Sequence, residues 1–418
     1  MGYVEMFDSI VEIMHNDYSG CKHKLGWDKP AEYRQAIEEM EKVGIITDLL
    51  FKNFVEEYLW DFKDYNVSID YTLEEEKMTN GFIVRRHEDV LHIVKSTGDS
   101  RVMPGMIITH IDGLEIAAVA ENQKKFLQAQ PPERQDWSHI LMKAKACMVQ
   151  VPGGLTWEQE LKKYKKLDIS KRKYEFKQYD KDTFILKVPH FENKEEMDKL
   201  LSAHKGELEK AKALIIDVRE NEGGIEAVGL SLLEYCFDEG EVYEPTEVGY
   251  YNWTANNAEA GLKYREYLLE KNDDPEQRGV YEFLKKLEVP GVYDITRCEG
   301  CKPYSVKGKK GPMKVAVLID MCCQKACEEF LMYAKASKKV TLVGRATKGA
   351  LDYSNIYGEE VGENFILSYP VCYYGRVNEG QGIDYIGIEP DVLVPWTPEH
   401  IDEDVDLNIA IKYLKRRV

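Results

Sequence analysis

To about residue 75, apolar positions recur every three or four residues: Ile37, Met40 and Val43, then Leu49, Leu50, Phe54, Tyr58 and Leu59. That spacing gathers them on one face of a helix, so residues 1–78 are predicted to form an N-terminal helical segment. From Thr79 the period shortens. GFIVRR and VLHIVK are short extended runs parted by a His-Glu-Asp turn, and PGMIITHIDGLEI alternates apolar and polar residues between glycines. Residues 79–152 read as a small β-rich module.

After Pro152-Gly153-Gly154 comes a charged stretch, ELKKYKKLDISKRKYEF, of the kind found on solvated edges and linkers, and a boundary is placed there. Region 153–418 then alternates. Strand DTFILKV leads to a helix near Lys194–Lys212 with Met197, Leu200, Leu201, Leu208 and Ala211 on one side. ALIIDV leads to IEAVGLSLLEYCF, and KVAVLID leads through ACEEFLMYAKAS to KVTLVG. Continuously apolar strands alternating with helices predict an α/β fold with a mostly parallel sheet and helices on its faces. Residues 242–312, rich in Tyr, Glu and Lys, interrupt this region and read as either a lid or a peripheral excursion.

The chain has 418 residues, 56 Lys+Arg against 74 Asp+Glu and a formal net charge of −18. It has no general excess of cation for nucleic acid or an anionic membrane surface. With 44% apolar residues it buries real cores, which excludes global disorder, and its length suits two or three domains. No basic stretch followed by an unbroken apolar run opens the chain, and no run of about 18 apolar residues occurs, so a soluble, unexported protein is expected. Nine scattered cysteines suggest reduced thiols in a cytoplasm. No cofactor is implied, and the oligomeric state is left open.

In open α/β sheets, ligands bind beyond the carboxyl ends of the strands, which singles out two turns. After ALIIDV comes Asp217-Val218-Arg219-Glu220-Asn221-Glu222-Gly223-Gly224, whose glycines let backbone N–H groups face an oxyanion. Taken alone, paired glycines there are more often ordinary punctuation. After KVAVLI comes Asp320-Met321-Cys322-Cys323-Gln324-Lys325-Ala326-Cys327-Glu328-Glu329-Phe330, entering a helix N-terminus where a serine or cysteine is useful and a lysine is electrostatically out of place.

In this order, LIIDVRENEGG, VAVLIDMCCQKACEEF, KVTLVGRATKG and GIDYIGIEPDVLVPW resemble the motifs of the S41 peptidases, the family of the C-terminal processing proteases and the tricorn core. The segment from Gly81 to Ile116 is similar to the PDZ-like module that many members carry. The resemblance implies a serine-type peptidase acting through an acyl-enzyme on peptides or unfolded proteins. It also places Lys325 where the nucleophilic serine stands. The lysine of the Ser–Lys branch falls on Ala350, with Lys348 two residues early. In the tricorn-like branch, Asn66 of Asp64-Tyr65-Asn66-Val67 takes the histidine's place and Asp384 the acid's, while Gly223 and the Ala326 N–H take the place of oxyanion donors.

A lysine amine captures an acyl group as an amide, which ends the cycle, and an asparagine side chain does not accept and return a proton at neutral pH. Losing the nucleophile or its base costs on the order of 10⁴–10⁶ in rate. The chain as written is therefore expected to be inactive or strongly impaired. The alternative is a peptide-binding pseudopeptidase that uses the cleft and the edge of the PDZ-like sheet. Cys322, Cys323 or Cys327 offers a rescue nucleophile, though inert buried thiols are the favoured reading. Cys298-Glu-Gly-Cys301 has metal-ligand spacing but no second pair, so no metal site is expected. His87, His92 and His110 read as surface or edge residues, His190 as a weak candidate base, and Asp217 with Arg219 as a structural ion pair.

Overall fold

Strands Ala213–Asp217 and Val340–Gly344 are buried at every position, and Lys314–Ile319 at every position after its first. They are three of the four inner strands of a six-stranded sheet in the computed structural model, which describes residues 1–73, 78–129, 131–165, 172–271, 275–297 and 305–416. The strand order is Glu175–Gln178, Thr183–Lys187, Ala213–Asp217, Lys314–Ile319, Val340–Gly344, Val392–Leu393. All neighbours are parallel except the first pair, with Leu186, Ile216 and Val317 in register. Continuous apolar runs are needed because both faces are covered. Ala213, Ile215, Ala316, Leu318 and Val343 cluster with Ala410, Ile411 and Leu414 of helix Val405–Arg416. Helices Glu226–Cys236 and Ala326–Ala334 approach each other closely at Gly229, where a Cβ would stand 3.0 Å from that of Phe330. The sheet is the mostly parallel α/β core that the alternation predicts.

The chain divides into two compact units. The unit of residues 74–241, 307–348 and 385–418 holds this sheet and a second, antiparallel one of Phe82–His87, Val90–Ser96, Ile107–Ile111, Ala146–Gln150 and Thr156–Glu160. Its alternating strands turn Leu91, Ile93, Ile108 and Val149 inward against Ile116, Val119, Trp137 and Leu141. The sheet runs past residue 152, since Thr156–Glu160 pairs with Ala146–Gln150.

The other unit comprises residues 1–73, 242–306 and 349–384. Its long strand Phe365–Tyr374 pairs along its length with Tyr353–Val361, and near its two ends with Ser68–Tyr71 and Gly249–Trp253. Gly291–Asp294 pairs in turn with Gly249–Trp253. Phe7, Ile10, Phe51, Tyr58 and Phe62 from the N-terminal helical stretch share a core with Leu367 and Tyr369. Tyr251 and Trp253 belong to the same core, so residues of the 242–312 insertion supply both strands and packing here.

Candidate functional site

In the first unit described, both singled-out turns lie at strand ends and are tied together by backbone-directed bonds. Asp320 Oδ1 accepts the N–H groups of Glu220 (3.1 Å) and Cys322 (3.0 Å), so one carboxylate organises both turns. Gln324 N–H donates to Asn221 O at 3.2 Å. Arg219 clasps Asp217 at 2.7 Å and reaches Asp404 at 2.7 Å, forming the expected ion pair and extending it. Gly223, at φ +94°, packs so closely that a Cβ there would stand 2.9 Å from Gln324 O, 3.0 Å from Lys325 Cβ and 3.2 Å from Ala326 N. Gly223, Lys325 and Ala326 are thus brought together. The Gly223 N–H, expected as an oxyanion donor, donates to Asn221 Oδ1 at 2.9 Å in this structure. The Asn221 side chain folds back as an Asx turn and claims that donor, while its own amide holds Val188 O at 2.9 Å.

Lys325 is exposed and has φ 56° and ψ −126°, a conformation that costs a residue with a Cβ roughly 1–3 kcal/mol. The surroundings hold it there. Its N–H donates to Glu328 Oε2 at 3.1 Å, Thr347 Oγ1 donates to Glu328 Oε1 at 2.6 Å, and Ile388 N–H donates to Thr347 Oγ1 at 2.7 Å. Glu328 and Thr347 are wholly buried, so this chain of bonds fixes a strained strand-to-helix elbow that presents side chain 325 at the N-terminus of helix Ala326–Ala334.

Sequence reasoning missed two arginines in this unit. Arg134 donates to the carbonyls of Ile386 (2.7 Å), Thr347 (2.6 Å) and Lys348 (3.2 Å), holding the loop of the Gly-x-x-Thr-x-Gly motif against that of the closing motif. Arg85, on the outer strand of the antiparallel sheet, reaches Glu133 O at 3.3 Å and lies 3.9 Å from Asp320. Nothing in a lone arginine's local sequence announces a bond to distant backbone carbonyls.

Cys322 and Cys323 are poorly disposed to act as nucleophiles. Cys323 is fully buried with Sγ directed at Val218 O (3.1 Å), and burial pushes its thiol well above the usual range. Burial, then the Asp320 carboxylate, pushes Cys322 up to about 12. Cys322 is expected to react with iodoacetamide at pH 8 about 10³-fold more slowly than an ordinary thiol, because so little thiolate is present. Peptide mapping of the alkylated protein measures this, and labelling at the free-thiol rate contradicts it. Cys298 and Cys301 lie outside the described residues. His190 binds Arg172 O at 2.8 Å and stacks near Tyr174. His87 and His92 pack beside the buried Trp396.

The other unit carries Asn66 and Asp384. Asp64 Oδ1 accepts the Asn66 N–H at 2.8 Å, and the Asn66 amide donates to Ala350 O (3.0 Å) and Tyr353 O (2.8 Å). Two carbonyls fix which way the carboxamide faces, since only its nitrogen donates. Its Oδ1 is buried and has no donor among the described residues. Asp384 N–H donates to Asp352 Oδ2 at 2.7 Å, and Asp352 is held by Arg376 at 2.8 Å. Between Asp64 and Asp384 sits Lys24, only 4% exposed. Its Nζ lies 3.3 Å from Asp384 Oδ2, 3.9 Å from Asp64 Oδ2 and 3.2 Å from Lys63 O, over the Tyr353 ring at 4.2 Å. Burial and the Asp64 charge push Asp384 well above the usual carboxylate range, against the pull of Lys24. The sequence gives Lys24 no sign of this role.

The family model for peptidase family S41 matches residues 182–394, just over half of the chain. Among solved structures, mature CPAF complexed with lactacystin is similar over 99% of this chain and 97% of its own, with a TM-score of 0.67 and 13% identity. The tricorn protease aligns over 99% of this chain and 36% of its own, at 13% identity and a TM-score of 0.46. At 13% identity the likeness to CPAF is one of fold. No curated protein sequence matches the chain.

Proposed function

This chain belongs to peptidase family S41, and on that premise we propose that it recognises extended segments of peptides or unfolded proteins and, as it stands, turns them over poorly or not at all. The observation that carries the reading is Lys325. A strained elbow held by the Glu328–Thr347–Ile388 chain is what a nucleophile needs, yet its side chain is an amine that an acyl group would cap permanently. Asn66 supports the same reading. Its amide is spent on two carbonyls and its buried acceptor meets no donor among the described residues, an arrangement that costs roughly 1–3 kcal/mol and suits a pocket shaped for another side chain. Asp384 in turn is engaged by Lys24.

Recognition rests on the antiparallel sheet read as a PDZ-like module, whose outer strands Phe82–His87 and Thr156–Glu160 offer edges to an added strand. A cytoplasmic setting fits the free cysteines among the described residues. Among those residues no helix is long and apolar enough to cross a membrane.

The test is fluorescence anisotropy of labelled unstructured peptides with the native chain, with mass spectrometry of the same mixtures. Saturable binding with intact peptide is expected. Steady accumulation of cleavage products would favour the active serine-type reading, and absence of binding to any peptide would remove the recognition half of the proposal.

A further inference from the structure

Asp384 stands where the family resemblance puts the acid, although Asn66 gives it no imidazole to orient. Lys24 is the cation it meets instead. Two carboxylates, Asp64 and Asp384, face one ammonium that is also bound by Lys63 O and the face of Tyr353. Other titratable groups face the cluster: the Tyr18 hydroxyl donates to Asp64 Oδ2 at 2.7 Å, Asp352 is paired with Arg376, and His23, whose ring lies 6.0 Å from that of Tyr353, feels the Lys24 charge and the Asp352 carboxylate. Asp64 also anchors the turn that carries Asn66. The backbone at 66, through Asp64, and the carboxylate at 384 thus both lean on a cluster whose cation comes from Lys24. A histidine needs a carboxylate that fixes its tautomer and stabilises its protonated form, and an ammonium beside that carboxylate opposes protonation of an imidazole.

We infer that Lys24 is a positioning residue that has become the resident counter-ion of Asp384, and that it decides whether the 64–66 turn can support a working histidine. The inference rests on the family reading of positions 66 and 384. Its test needs no peptide, so it fails or stands separately from the recognition proposal.

Two versions of the full chain are compared by histidine-selective NMR titration: Asn66→His, and Asn66→His with Lys24→Met and Asp64→Asn, which leaves the cluster's formal charge unchanged. In the first, the introduced imidazole is expected to titrate at or below about 6.5. In the second, Asp384 is released and the titration is expected to move up by about one unit or more. Equal values in both overturn the inference. A purely structural lysine would not move this readout.

Should an Asn66→His chain fail to fold, a urea-unfolding cycle on the native background gives the same answer. Lys24→Met is expected to destabilise the protein and Asp384→Asn to restore much of the loss, with a coupling of at least about tenfold in the folding equilibrium constant. Strictly additive effects of the two substitutions overturn the inference.

Discussion

Lys325→Ser alone is expected to leave peptide hydrolysis at background, whereas a chain that also carries Asn66→His, Lys24→Met and Asp64→Asn is expected to gain on the order of 10²–10⁴ in turnover, the usual contribution of a positioned general base. A serine hydroxyl is a weak nucleophile until a neighbouring base takes its proton. On the reading proposed above, the role of base falls to position 66, where the native carboxamide is committed to Ala350 O and Tyr353 O. Supplying the imidazole without freeing Asp384 from Lys24 should recover only part of the gain, because an unoriented histidine populates the wrong tautomer. Mass-spectrometric cleavage profiling of one peptide mixture with the native chain and each variant measures the series. A gain of about 10³ from Lys325→Ser by itself would show that another group serves as base.

Gly224→Ala is expected to destabilise the protein by about 4 kcal/mol or more, among the larger effects available to a single substitution. Gly224 has φ +133°, a region open in practice only to glycine, and a Cβ there would stand 2.3 Å from Phe191 O and 2.6 Å from its carbonyl carbon. Neither atom can move cheaply. Phe191 O accepts Ile225 N–H at 2.5 Å, and Phe191 N–H donates to Gly223 O at 2.9 Å, so relief of the clash would undo the bonds that hold the turn. Urea denaturation compares the free energies, and a loss below about 1 kcal/mol would mean that this turn adapts far more readily than its geometry implies.

The parallel sheet was legible because strands covered on both faces must be apolar throughout, as in ALIID and VTLVG. The two turns were legible for a related reason: glycines at positive φ and a lysine at a helix N-terminus break local rules. The second unit was not legible as a unit. Strand Gly249–Trp253 has no alternating signature, and its partner Phe365–Tyr374 is remote in the chain, so no window of sequence holds both. Lys24 was missed because a lysine is assigned to the surface unless paired, and its partners Asp64 and Asp384 lie in two distant segments. The Asn221 bond to the Gly223 N–H was not legible, because a glycine's freedom to face a ligand does not reveal which acceptor already holds its N–H.

The assembly of that unit from three separated stretches bears on how the protein is made. Ser68 is matched to Ser368, three hundred positions further on. A ribosome adding roughly 5–20 residues per second releases the first helices long before Phe365–Tyr374 emerges to complete their sheet. Until then Phe7, Ile10 and Phe51 lack much of the core that later encloses them, and the nascent chain carries exposed apolar faces through most of its synthesis. The residues 74–241 emerge in the interval, so the growing polypeptide must keep its first helices from wrong partners while much of the other unit is already available to fold. Newly made chains are therefore expected to need holding chaperones, and nonsense truncations ahead of Phe365 leave this unit without its central strand.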